Sequence, residues 1–217
     1  IQTPEYFEYM AFPRLLAMSE VQWTLPEHKD FESFARRLDK EFERLDYCGV
    51  NACRNFYEVN QTGAWNKSQQ TYEVTLNTFC PDADIYYAVN DSTVNTSSSL
   101  YETPIPLDED ATIYSAVYRS GKPLGKVTRK SFAVNKATGC DYTCNPKAGW
   151  EHLNKGFGLT DGRRGYARDM RRWISFYQDT VQIVVELKKP QKVKEVAFSS
   201  LWRPVNEIWP ARAMGVS

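Results

Sequence analysis

Apolar residues recur at helical spacing twice near the start of the chain. Phe7, Met10, Ala11, Leu15 and Met18 form one stripe, with Thr3 placed as a cap and Pro4 at the first helical position, which predicts an opening helix within residues 3–24. Phe31, Phe34, Ala35, Leu38, Phe42 and Leu45 form the second stripe, while Arg36, Arg37, Lys40, Glu41 and Glu43 take the opposite face. Asp30 is suited to cap this helix, and Gly49 to end it in a left-handed conformation. Joined by a turn at Pro26, the two helices predict a hairpin that closes near residue 49.

Beyond Asn55 the period shortens to two. Segments 71–77, 84–89, 111–118 and 126–134 alternate or carry β-formers, with turn clusters between them, and predict an Ig-like β-sandwich of short strands. A third segment opens near Gly139. There Gly158-Leu159-Thr160-Asp161-Gly162 is followed by Trp173-Ile174-Ser175-Phe176 and by strand-like runs at 181–187 and 193–201.

Composition narrows the function classes. The 217 residues are 42% hydrophobic and 14% aromatic, as expected of folded globular material. Lys plus Arg and Asp plus Glu balance at 27 each, so no global field draws nucleic acid, and a neutral or carbohydrate ligand fits that balance better. No apolar run approaches the roughly 20 residues of a membrane helix, and the opening residues lack the basic and apolar regions of a signal peptide. Cys48 with Cys53, and Cys140 with Cys144, either close small disulfide loops in an oxidising compartment or stay as buried or free thiols alongside Cys80. The Asn-x-Ser/Thr triplets at Asn60, Asn66, Asn90 and Asn95 mark surface loops.

The run Pro13-Arg14-Leu15-Leu16-Ala17-Met18-Ser19-Glu20-Val21-Gln22-Trp23 is similar to the P-R-x-x-A-x-x-E-x-x-W segment near the end of the TIM-barrel catalytic domain of glycoside hydrolase family 20, the β-N-acetylhexosaminidases. The stretch Ile85-Tyr86-Tyr87 through Asn90-Asp91-Ser92, with Tyr101 and Pro104-Ile105, resembles the C-terminal β-domain of the same enzymes. It departs from that pattern at Asn90-Asp91, where Asp-Gly is usual, and at Val94, where Pro is usual. The order from Leu159 to Trp173 resembles the first half of a discoidin-like jelly-roll.

These resemblances imply a mainly β chain with an N-terminal helical hairpin. The organisation expected is terminal barrel helices at 1–54, an Ig-like β-sandwich at 55–138 and a partial discoidin-like, galactose-binding-like module at 139–217. They imply a bacterial-type parent that removes terminal N-acetylhexosamine from glycans by substrate-assisted retaining catalysis. In that family the catalytic Asp-Glu pair, and the Trp and Glu that grip the terminal sugar, lie before the position of Ile1, so this chain is expected to be inactive alone. The partners implied are the glycan substrate of the parent enzyme, the upstream barrel and a second copy through an incomplete sheet, without nucleic acid or a membrane span. The parent is expected to be exported, as a periplasmic, outer-membrane-associated or secreted protein.

Little else in the sequence carries chemistry. Asp108-Glu109 falls in an acidic turn between β-segments, outside any barrel, and reads as solvated. Arg14 and Glu20 fit structural hydrogen bonds better than sugar contacts. Neither His28 nor His152 lies in a nucleophile motif, no G-x-S-x-G occurs, and Gly156-x-Gly158 lacks the third glycine of a dinucleotide fingerprint. The densest charged patch is Arg163, Arg164, Arg168, Arg171 and Arg172, followed by Trp173. Trp173 and Arg172 are the candidates for contact with a glycan, and Asp161 for a structural calcium. The competing reading makes Asp161 and Trp173 parts of the fold, since one aspartate does not supply the six to eight oxygens calcium takes.

Overall fold

A computed structural model of the chain describes residues 3–146, 149, 158–162, 165 and 173–216. Its first departure from the pattern is at Pro13, which divides the expected opening helix in two. Proline has no N–H to continue the helical ladder, so α1 (Pro4–Ala11) stops and α2 (Arg14–Trp23) starts afresh. Thr3 caps α1 by accepting the Tyr6 N–H at 3.2 Å, and the Arg14 guanidinium donates to the Met10 carbonyl at 2.7 Å at the other end. Neither helix contains a buried residue.

The helix α3 (Phe31–Tyr47) follows its sequence pattern closely. Asp30 Oδ1 accepts the Glu32 and Ser33 N–H groups at 2.9 and 3.3 Å, and Gly49 beyond its end has φ +69°. Ala35, Leu38 and Phe42 are buried, but the stripe is shorter than predicted: Phe31 is exposed and makes a T-shaped contact with Phe79, with centroids 5.9 Å apart.

Ten strands follow among the described residues: β1 (Asn60–Asn66), β2 (Thr71–Asn77), β3 (Asp84–Val89), β4 (Ser99–Leu100), β5 (Ile105–Leu107), β6 (Ala111–Arg119), β7 (Lys122–Pro123), β8 (Thr128–Phe132), β9 (Asp141–Asn145) and β10 (Gln182–Glu186). The class is mainly β with three short N-terminal helices and antiparallel sheets, consistent with a β-sandwich. The described residues group into two compact units.

The first unit falls within Ile1–Gln61, Thr75–Pro104 and Thr112–Lys130. Its sheet has the order β4-β3-β6-β7, with β8 also pairing with β6. The register runs from Asp84 opposite Tyr118 to Val89 opposite Ile113. Strand β6 is the centre of this sheet and is buried on both faces: Ile113, Ser115 and Val117 are fully enclosed on one, and Ala116 and Tyr118 pack with Val94 on the other. Buried Gln61 is held by its side-chain amide, which donates to Ser115 Oγ at 2.8 Å and the Thr128 carbonyl at 3.2 Å.

The second unit falls within Thr62–Val74, Ile105–Ala111 and Ser131–Ser217. In its sheet Tyr72 lies opposite Leu107 and Val74 opposite Ile105, and Tyr72 packs against Phe132 with ring centroids 6.4 Å apart. Trp65 occupies the space above Gly139, whose φ is +72°. A Cβ there would lie 2.1 Å from the indole, so both space and backbone require glycine. The Lys188 ammonium sits 4.4 Å from the Trp65 ring centroid and donates to Gln70 Oε1 at 2.7 Å. Of the two late strand-like runs, 181–187 contains β10, which pairs antiparallel with β9 from Gln182–Asn145 to Glu186–Asp141. Residues 193–201 form no strand.

Candidate functional site

Asp161 lies in a tightly bonded turn. Its Oδ2 accepts the Gly158 N–H at 3.1 Å, the Thr160 hydroxyl donates to the Cys140 carbonyl at 2.6 Å, and the Gly139 N–H donates to the Thr160 carbonyl at 2.7 Å. The Tyr72 hydroxyl donates to the Gly162 carbonyl at 3.3 Å, which ties the turn to β2. Trp173 is half-buried, its indole so close to Gly165 that a Cβ there would come within 2.5 Å of the ring. Asp161 and Trp173 are thus each held in a local packing of their own, and Arg172, with the other arginines of its patch and His152, lies outside the described residues.

A calcium ion takes six to eight oxygen ligands. Among the described residues no group of three or more His, Cys, Asp and Glu side chains is placed to hold a metal, and one Asp161 oxygen is already bonded to the Gly158 amide. Asp108 and Glu109 are exposed in the turn before β6, and His28 is exposed in a single 3-10 turn.

The best-built polar cluster was not among the sequence candidates. Asp39, on the edge of the buried α3 stripe, accepts from the Tyr57 hydroxyl at 2.5 Å and forms an ion pair with Arg119 at the end of β6. Arg119 also donates to Cys80 Sγ at 3.0 Å and to the Pro81 carbonyl at 2.9 Å. Four residues distant in sequence therefore clip α3 to the β6 sheet within the first unit. Burial, followed by the hydrogen bond to Asp39, drives the Tyr57 phenol far above its ordinary range. Burial likewise raises the Cys80 thiol, with the Arg119 charge opposing it. Both groups stay protonated at neutral pH, and the cluster acts as a clamp rather than a nucleophile site.

All five cysteines are free thiols in this structure. Native iodoacetamide labelling followed by mass spectrometry should modify exposed Cys48 first, leaving buried Cys53, Cys80 and Cys140 until unfolding. Labelling of Cys80 as fast as Cys48 would show that the clamp is open in solution.

The helical segment carries many exposed apolar residues. Phe7, Met10, Leu15, Met18, Val21, Trp23 and Leu25 are all exposed, Trp23 at 87%. Isolated apolar side chains on a surface are ordinary, but here six lie along two consecutive helices, with Leu25 just beyond them. The segment is nevertheless fixed in place. The Cys53 N–H donates to the Phe12 carbonyl at 3.0 Å, the Asn51 N–H to Glu8 Oε2 at 2.9 Å, and Arg37 forks onto both Glu20 oxygens at 2.9 and 2.8 Å. Between α2 and α3 lies an open groove of about 450 Å³, with Leu16, Trp23, Phe34 and Leu38 among its lining and the Glu20–Arg37 fork at its side.

The fork holds the Glu20 carboxyl below its ordinary value of 4.5, through the Arg37 hydrogen bond first. Its contribution is therefore complete above that value and disappears as pH falls through the lowered one. The melting-temperature difference between the native chain and Glu20→Gln should be constant near neutrality and shrink in acid. A difference that grows in acid would contradict the pairing.

Residues 74–132, from β2 to the end of β8, match the family described as Fn3 associated. A stretch of 51 residues is 49% identical to the beta-hexosaminidase of Porphyromonas gingivalis. The stretch covers 24% of this chain and only 7% of that relative's length. An Fn3-associated segment in a chain that shares a hexosaminidase stretch supports, taken together, a hexosaminidase-associated C-terminal domain.

Proposed function

We propose that the chain is the C-terminal, non-catalytic part of a β-N-acetylhexosaminidase, in which an upstream catalytic barrel removes terminal N-acetylhexosamine from glycans. The observation that carries this reading is the state of α1 and α2. They contain the P-R-x-x-A-x-x-E-x-x-W residues and are pinned by backbone and carboxylate hydrogen bonds, yet no side chain on either is buried. A helix pair fixed in position with its apolar residues in water is half of an interface. In this proposal the other half is the barrel, while α3 and its clamp transmit that attachment to the β6 sheet.

The test uses the chain alone and with the catalytic domain supplied separately. The chain alone should not hydrolyse a chromogenic N-acetylglucosaminide. The catalytic domain should bind it, and Met18→Asp with Trp23→Asp should weaken that binding at least about tenfold, the equivalent of ~1.4 kcal/mol. Turnover by the repurified chain, or undiminished binding by the double variant, would overturn the proposal.

A further inference from the structure

The connection from β3 to β4 borders a shallow, open cleft of about 520 Å³, lined by Tyr87, Asp91, Thr93, Asn95, Ser97 and Ser99 among others. Its wall is fixed at both ends. Asn90, in the left-handed region at φ +58°, donates its N–H to the Thr112 carbonyl and accepts the Thr112 N–H on Oδ1, each at 2.8 Å. At the far side Val94 is buried against Ala116 and Tyr118, and the Tyr118 hydroxyl donates to the Val94 carbonyl at 3.0 Å. Between these anchors Asp91 Oδ1 accepts the Thr93 N–H at 2.9 Å, and beyond Val94 Asn95 Oδ1 accepts the Ser97 N–H at 2.8 Å and Ser98 Oγ accepts the Asn95 N–H at 3.1 Å. The loop is thus pre-organised, which lowers the ordering cost of binding.

The chemistry of the lining selects the ligand. No lysine, arginine or histidine lines the cleft and Asp91 does, which disfavours anions. Hydroxyl, amide and carboxylate groups dominate, which disfavours an apolar guest whose burial would leave them unpaired. Serine and threonine hydroxyls both donate and accept, so they match a guest rich in hydroxyls. Tyr87, held by an edge contact with Tyr101 at 6.3 Å and 79°, adds an amphipathic ring to the wall.

We propose that this cleft is a binding site for a neutral saccharide, with Thr93, Ser97 and Asp91 as hydrogen-bonding groups and Tyr87 as the apolar wall. The site stands on its own chemistry and does not require the catalytic barrel. Its test is amide chemical-shift titration of the intact chain with tri-N-acetylchitotriose, cellotriose and maltotriose. Binding of at least one, with a dissociation constant near ~1 mM and shifts centred on residues 91–99, is the expected result. Thr93→Val with Ser97→Ala, both at exposed positions, should weaken it about tenfold, and Tyr87→Leu should do so independently. No localised shift with any of the three sugars, or shifts that both variants leave unchanged, would overturn it. Sugar binding without barrel binding, or the reverse, separates the failure of this site from the failure of the proposed function.

Discussion

Replacing Phe42 with alanine is expected to destabilise the first unit by about 3–5 kcal/mol, the range for truncating a buried phenylalanine. The ring is 2% exposed. It meets Tyr57 and Phe56 at centroid distances of 5.3 and 5.8 Å, and the Arg54 guanidinium lies 4.4 Å from its centroid. Truncation removes apolar contact, opens a cavity among side chains from two segments and leaves the guanidinium without its aromatic partner. Phe42→Leu, which keeps most of the volume, should cost only ~1.5 kcal/mol or less. Urea denaturation measures both. A midpoint unchanged by Phe42→Ala would mean that α3 is not part of the cooperative unit, since a domain's whole stability is of the order of 5–15 kcal/mol.

Breaking the clamp is the second large effect. Arg119→Met should cost about 2–3 kcal/mol. That is below the ~3–5 of a fully buried pair, because solvent screens side chains that are 30% and 25% exposed. Without Arg119, Asp39 keeps only the Tyr57 hydroxyl in this cluster; without Asp39, the guanidinium keeps Cys80 and the Pro81 carbonyl. The two positions share partners, so their effects should not add. A double-mutant cycle on Asp39→Ala and Arg119→Ala should give a coupling above about 1 kcal/mol, and strict additivity would refute the clamp.

The elements that satisfy their own neighbours were legible in the sequence. Strands β2 and β3 lie where their alternation predicts, and Thr3, Asp30 and Gly49 perform the terminal roles their chemistry suits. Strand β1 was not legible, for a physical reason. Its enclosed positions are Gln61 and Gly63, not β-branched residues. Gly63 makes room for Tyr72, whose hydroxyl would lie 2.2 Å from a Cβ there, and Gln61 is enclosed only because Ser115 and Thr128 bond its amide. Strand β9 hides its pattern in Asp141-Tyr142-Thr143-Cys144-Asn145 and takes its meaning from β10, whose first residue is Gln182. Conversely, the run at 193–201, whose apolar residues Val193, Val196, Phe198 and Leu201 do not alternate strictly, forms no strand.

The candidate site divided in the same way. Arg14 and Glu20, read as makers of structural hydrogen bonds, make them with the Met10 carbonyl and Arg37. Asp39, Tyr57, Cys80 and Arg119 have no common motif, and only folding brings them together. The one local trace is Asp39 itself, a carboxylate directly after Leu38 in the buried half of an amphipathic helix. The cleft beside β3 was visible only as a departure from a family pattern, at Asn90-Asp91 and Val94, and those residues are the ones that anchor and line it.

The clamp also sets an order of events during synthesis. Asp39 and Arg119 are separated by 80 positions, so at a ribosomal rate of about 5–20 residues per second α3 waits ~4–16 s for the strand that secures it. For that interval Asp39 lacks the guanidinium that pairs with it, while Phe42 already has Phe56 and Tyr57, 14 and 15 residues on, to pack against. The helix is consequently packed before it is clamped, and the synthesis of β6 completes its attachment.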